Sequence, residues 1–203
     1  MKKGEATRAK LIEGALQVLL KEGVFGATTR KIADASGQEL AALHYHFKNK
    51  EELLFAVLEE VALILKRYLD GELKPVPDLV KCVEELITVA WRMMEGTRDL
   101  QILQFEMTFY AVRRPNAAWL AKKQYQGLVE QYESILAERQ PNEIARSDLE
   151  ILAQFIIAGL DGILVQELAH PDEARSSESL KCLNTAAQAM AGQILTFAEP
   201  KAS

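Results

Sequence analysis

The residues best suited to reach another molecule lie between Thr28 and Lys50, where hydroxyl, guanidinium, carboxylate, imidazole, phenol and ammonium groups follow one another along two short helix patterns. The patterns meet at Gly37. Thr28 and Thr29 offer hydroxyls to start the first, Ile32 and Ala33 give it an inward face, and it stops near Ser36-Gly37. The second, Glu39 to Phe47, puts Leu43 and Phe47 four residues apart on one side, which leaves Leu40, Ala41, His44 and Tyr45 to point outward. Two short helices joined at a glycine fit a helix-turn-helix, whose outward side chains are placed to reach base edges; taken alone they also fit an ordinary helical hairpin.

The wider stretch is more specific. Thr28-Thr29-Arg30-Lys31-Ile32-Ala33, then Gly37, then Tyr45-His46-Phe47-Lys48-Asn49-Lys50 resemble the DNA-binding domain of the tetracycline-repressor (TetR) family, and the resemblance covers roughly residues 8 to 65. It implies that Thr29, Tyr45 and Lys50 occupy phosphate-contacting places, and that Arg30, Glu39, Leu40, Ala41 and His44 occupy places facing base edges. In those places Arg30 would donate a bidentate pair to guanine and Glu39 would accept from cytosine N4, while Leu40 and Ala41 offer only apolar contact. Glu39 fits a second role equally well, because a carboxylate at a helix N-terminus is favourable without DNA. Gln38 and His44 depart from the commoner family pattern, which has an apolar residue and a tyrosine there. His46, beside Phe47, reads as structural.

Charge is distributed to match. The chain carries a formal net charge of −5, yet residues 1 to 50 hold nine Lys or Arg against five acids, a net of +4, and the remainder is −9. A basic N-terminal module on an acidic body presents one face to a phosphate backbone and is repelled elsewhere.

The 203 residues, 49% of them hydrophobic, suffice for a buried core. No apolar run is long and uncharged enough to span a membrane and no signal core follows Met1, so a cytoplasmic protein is expected. Cys82 and Cys182 are far apart, with neither metal-ligand spacing nor a disulfide pattern. Only His170 lies outside the N-terminal module, no Gly-rich phosphate loop is present, and histidine-based catalysis or metal binding has almost no material. No catalytic residue, metal or cofactor is therefore expected, and an all-α enzyme is the weaker rival.

The rest of the chain must carry and connect this module. Leu11, Ile12, Ala15, Leu16, Leu19 and Leu20 predict a helix over about 6 to 22, ended by Gly23. Asn49 and Glu52 have the form of a capping box opening a longer helix over 50 to 72, and Gly71 with Pro75-Val76-Pro77 breaks the chain after it. Five further helices are expected, over 78 to 95, 98 to 112, 115 to 139, 145 to 169 and 176 to 197, with breaks at Gly96, Arg114-Pro115-Asn116, Gln140-Pro141-Asn142 and His170-Pro171-Asp172. The fold class is all-α: a helix-turn-helix domain over 1–49, a linker helix over 50–72, and a helical effector-binding and dimerisation domain over 73–203.

In that second domain Trp91, Met94, Phe105, Phe109, Trp119, Tyr125 and Phe155 supply aromatic and soft surface, with Glu106 and Asp161 as polar groups to orient a small molecule. The same stripe serves as plain core, and Asp161 serves as a hydrogen-bonding group at a helix contact. Phe155, Gly159, Gly162, Ala187, Ala191 and Ile194 would permit two helices from each of two protomers to pack; an internal hairpin fits the pattern too, and the resemblance favours the homodimer. It also implies a double-stranded, inverted-repeat operator and a small-molecule effector that lowers operator affinity. An effector-free dimeric DNA-binding regulator is the alternative.

Overall fold

The structure, a computed structural model, describes residues 3–140 and 143–197; the expected break at Pro141-Asn142 lies outside them. Among the described residues the regular elements are all helical. They are α1 (Lys3–Gly26), α2 (Thr29–Ser36), α3 (Leu40–His46), α4 (Lys50–Glu72), α5 (Leu79–Gly96), α6 (Arg98–Val112), α7 (Ala118–Glu138), α8 (Arg146–Ala169) and α9 (Glu173–Phe197), with one 3-10 turn at Pro115–Ala117.

The chain forms two compact units, residues 1–65 with 97–125, and 66–96 with 126–203. These follow packing and differ from the functional domains expected at 1–49 and 73–203. In the first unit α1 packs on both α2 and α6. Leu11, Leu19, Ile32, Leu53, Leu54, Met107 and Leu120 are fully buried, each contributing about 1.5–3 kcal/mol relative to exposure.

Capping decides where these helices begin and end. The expected capping box at α4 forms on one side, with Asn49 Oδ1 accepting from the Glu52 N–H at 2.8 Å. Its return arm reaches one residue further, Glu52 Oε2 accepting from the Lys48 N–H at 3.0 Å.

In the second unit α9 packs on both α5 and α8. It starts at Glu173, three residues before the sequence suggests, because Asp172 Oδ1 accepts from the Arg175 N–H at 3.0 Å. Glu167, buried, accepts from the Asp172 N–H at 3.1 Å and from the Ser176 hydroxyl, which satisfies polar groups at that helix start. Arg139 ties the segment before α5, donating to Leu73 O at 3.1 Å and to Asp70 Oδ1 at 2.9 Å.

Candidate nucleic-acid interface

Helix α2 is held at both ends by local chemistry. Thr28, in extended backbone, accepts from the Lys31 N–H at 3.3 Å. At the other end Gly37 takes φ 63°, a left-handed conformation that closes the helix, with its N–H turned to Ala33 O and Asp34 O and the Gln38 N–H to Ala33 O at 3.1 Å. The departure at Gln38 has a local use: its side-chain amide donates to Gly37 O at 3.0 Å and Ser36 O at 3.4 Å. The turn therefore supplies its own hydrogen bonds.

Helix α3 anchors through Leu43 and Phe47, 2% and 3% exposed, with the Arg8 guanidinium 5.3 Å from the Phe47 ring centre. Arg30, Glu39, Ala41, His44 and Tyr45 are exposed, Tyr45 to 85%, and Thr29 and Leu40 are half-buried. Glu39 sits at the N-cap of α3, but its side chain makes no capping bond, so its carboxylate is not engaged in the way a cap would be. His46 is half-buried and edge-on to Tyr45 at 5.2 Å. Lys31, exposed, pairs with Glu22 and so is partly neutralised.

Lys50 differs from the other candidates. Its ammonium donates to Val24 O at 2.6 Å, in the last turn of α1, and to Ala27 O at 2.8 Å, in the connection to α2. Burial lowers its pKa below the ordinary lysine value, against the pull of Glu51, and Arg114 adds to the fall. The phosphate contact that the resemblance assigns to Lys50 would have to be made by an ammonium with two backbone partners already in place.

The candidate ligand residues divide between the two units. In the first, the Glu106 carboxylate accepts from the Val24 N–H at 2.9 Å, Phe105 and Tyr125 are half-buried, and Phe109 is exposed. Trp119 stands edge-on to Phe55 at 5.4 Å, and the Lys123 ammonium lies 5.1 Å from the Phe55 ring centre and 5.7 Å from that of Trp119. Phe55 and Lys123 were not singled out in the sequence; the available signal was the four-residue spacing of Trp119 and Lys123. In the second unit Trp91 and Met94 are buried on α5, Phe155 is exposed, and Asp161 is near enough to Tyr132 to add to the rise that burial imposes on its phenol.

Of the positions expected at a subunit interface, Ala187 and Ala191 are fully buried within the chain and Gly159 lies against Leu183 of its own α9. Gly159 serves the internal α8–α9 contact, and Ala187 and Ala191 belong to the inward side of α9, which is wide because α9 faces both α5 and α8. Phe155 and Gly162 are exposed and Ile194 is half-buried. Among the described residues no cluster of His, Cys, Asp or Glu is fit to hold a metal, and no helix is long and apolar enough to cross a membrane.

Comparison with known proteins agrees with this geometry. Residues 11–57 match the model of bacterial regulatory proteins of the tetR family, and residues 77–193 match the tetracyclin repressor-like C-terminal domain. The nicotine-responsive transcriptional repressor HdnoR of Paenarthrobacter nicotinovorans is 28% identical, over 84% of this chain and 88% of its own. A TetR family member from Streptomyces coelicolor A3 superposes with a TM-score of 0.63 at 26% identity, covering 87% of this chain and 97% of its own. The multidrug binding protein EbrR, solved with ethidium, shares the fold with a TM-score of 0.67 at 23% identity, covering 88% of this chain and 96% of its own. Such relatives are regulators rather than enzymes, and the chain belongs to the tetR family of bacterial regulatory proteins as a DNA-binding regulator of transcription.

Proposed function

We propose that the chain acts in the cytoplasm as a homodimeric repressor, without enzymatic activity, that leaves an inverted-repeat operator when a small molecule binds. Residues 1–49 hold the DNA, with Arg30 and Glu39 on base edges and Thr29 and Tyr45 on phosphates. Residues 73–203 hold the subunits together and take up the ligand. The dimer is supported by an apolar stripe on α8, Ile151, Phe155, Ala158, Gly162 and Val165, which recurs at helical spacing on the exposed side of the helix.

The observation that carries the ligand class is the Lys123 ammonium over Phe55 and Trp119. Two rings already hold a cation there, and a protonated alkylamine that carries an aromatic ring offers the same charge with added apolar surface. A relative named for its response to nicotine supports that class. The test starts from a duplex selected out of random sequence by the wild-type protein, whose affinity is then measured with increasing nicotine and with a panel of alkylamines that carry an aromatic ring. Release of the duplex is the expected result. Binding of amines without any change in duplex affinity would favour the effector-free regulator.

A further inference from the structure

Val24, in the last turn of α1 just beyond the break at Gly23, is gripped at both of its backbone polar groups by charged side chains from other helices. Its N–H donates to Glu106 Oε2 of α6 at 2.9 Å, and its carbonyl accepts from Lys50 Nζ of α4 at 2.6 Å. Gly23 makes the N–H available, and the end of α1 at Gly26 leaves the carbonyl outside the ladder. At φ 69° and ψ 175° Gly23 breaks the helical path of α1, so the groups beyond it need partners from outside the ordinary helical ladder. The carboxylate sits directly over this break, since a Cβ on Gly23 would lie 2.9 Å from Glu106 Oε2.

The grip extends to the start of α2. Lys50 also donates to Ala27 O at 2.8 Å, and Ala27 precedes Thr28, the residue that caps α2. Around it the Tyr110 hydroxyl of α6 donates to Glu51 of α4 at 2.8 Å, Arg114 lies 3.9 Å from the Tyr110 ring centre, and Phe25 stands edge-on to that ring at 5.8 Å. Val24 is fully buried, so an ammonium that left its carbonyl would leave an acceptor without water in reach.

We infer that Lys50 and Glu106 act on operator binding as a pair of positioning residues, fixing the Val24–Ala27 connection from α4 and α6 so that Thr29 and Arg30 are aimed at DNA, and that the Lys50 charge is used on this backbone rather than on an operator phosphate. The inference rests on the DNA-binding role of α2 and α3. A phosphate ligand and a positioning residue differ in one readout. Removing a phosphate contact makes the dependence of log affinity on log salt shallower by roughly 0.9 unit for each protomer, about 1.8 for a dimer, whereas misplacing α2 lowers affinity by another route.

The experiment measures affinity for the selected duplex across a salt series, with thermal unfolding of each variant alongside. Lys50→Met is expected to weaken binding about 10-fold, the scale of one lost hydrogen bond to a charged group, with the slope unchanged. Glu106→Leu, which removes an anion and touches no phosphate, is expected to weaken binding by a similar factor, and Glu106→Gln, which keeps an acceptor oxygen, to recover most of the loss. The double variant should lose less than the product of the two single losses, because each single change already frees the connection. A slope shallower by about 1.8 units in the Lys50→Met dimer, or a Glu106→Leu protein that binds as the wild type does, would overturn the inference. The wild type supplies a test that needs no folded variant: on the duplex, the Lys50 ammonium NMR signal should show no scalar coupling to DNA phosphorus, and observed coupling would overturn it. Failure of all DNA binding by the wild-type protein would instead refute the DNA-binding role itself.

Discussion

A Cβ on Gly159 would fall 2.4 Å from Leu183 Cδ1 and 2.8 Å from its Cδ2, so α8 and α9 meet where the chain has room for a hydrogen and little more. Leu183 is itself buried and has limited space to turn away. Gly159→Ala should therefore destabilise the fold by about 1–3 kcal/mol through overpacking, measured by denaturant unfolding, even though alanine is the better helix former. An unchanged midpoint would mean that Leu183 repacks freely.

The exposed stripe on α8 separates association from folding. Phe155→Arg should leave the unfolding transition of the isolated chain nearly intact and shift sedimentation from dimer to monomer. Ala191→Arg should unfold the chain, because Ala191 is fully buried within it. A monomeric wild-type protein at micromolar concentration would sink the dimer.

Local signals in the sequence were sufficient wherever the chain's own neighbours decide the structure. Thr28, Gly37, Asn49 and the breaks near Pro115 and Pro171 punctuate the helices as their chemistry predicts, and Leu43 and Phe47 are inward as their spacing requires. Facing was harder to read. Ala187 and Ala191 suit a subunit interface and an internal helix contact equally, and only the placement of α9 against two helices chooses between them. The partners of Lys50 and Glu106 were illegible for a similar reason: Glu106 and Val24 are 82 residues apart, and no periodicity on α6 announces a hydrogen bond to the end of α1. Glu106 read as a polar group within an aromatic stripe, and the fold spends it on a backbone N–H.

Asp70 gives a pH signature. Its hydrogen bond from Lys66, with Arg139 beside it, holds its carboxyl below the ordinary 3.8. A carboxylate with a depressed folded pKa contributes stability above its unfolded pKa and loses it as pH falls through the folded value. Asp70→Asn should thus cost less than about 1 kcal/mol near neutral pH, since the pair is exposed, and the difference from wild type should shrink as pH falls below 3.8 and vanish once it is below the folded value. A difference that persists at low pH would place its origin in packing.

Glu39 and Arg30 distinguish reading DNA from building the helix. Because Glu39 makes no capping bond, Glu39→Ala should change stability by less than about 0.5 kcal/mol while altering base preference at one operator position. Arg30→Ala should cost about 1–3 kcal/mol on the selected duplex and relax one position. Repeating the random-sequence selection with each variant checks both. An unchanged preference in both would remove them from the base-reading surface.

The ligand response is the most demanding expectation, because binding alone moves nothing. A small molecule changes operator affinity only through its differential affinity for the free and DNA-bound conformations, and a coupling of about 1–3 kcal/mol corresponds to roughly a 5- to 150-fold change. The same factor must appear in reverse, so saturating operator should weaken binding of the ring-bearing amine as much as the amine weakens operator binding. Trp119→Ala should reduce amine affinity if the rings under Lys123 receive the ligand, and Lys123→Ala should raise it by removing the tethered competitor. Calorimetry with and without the duplex measures all of these. An amine that binds equally well in both conditions is a bystander, and a Lys123→Ala protein with weaker amine binding would show that the lysine assists the site.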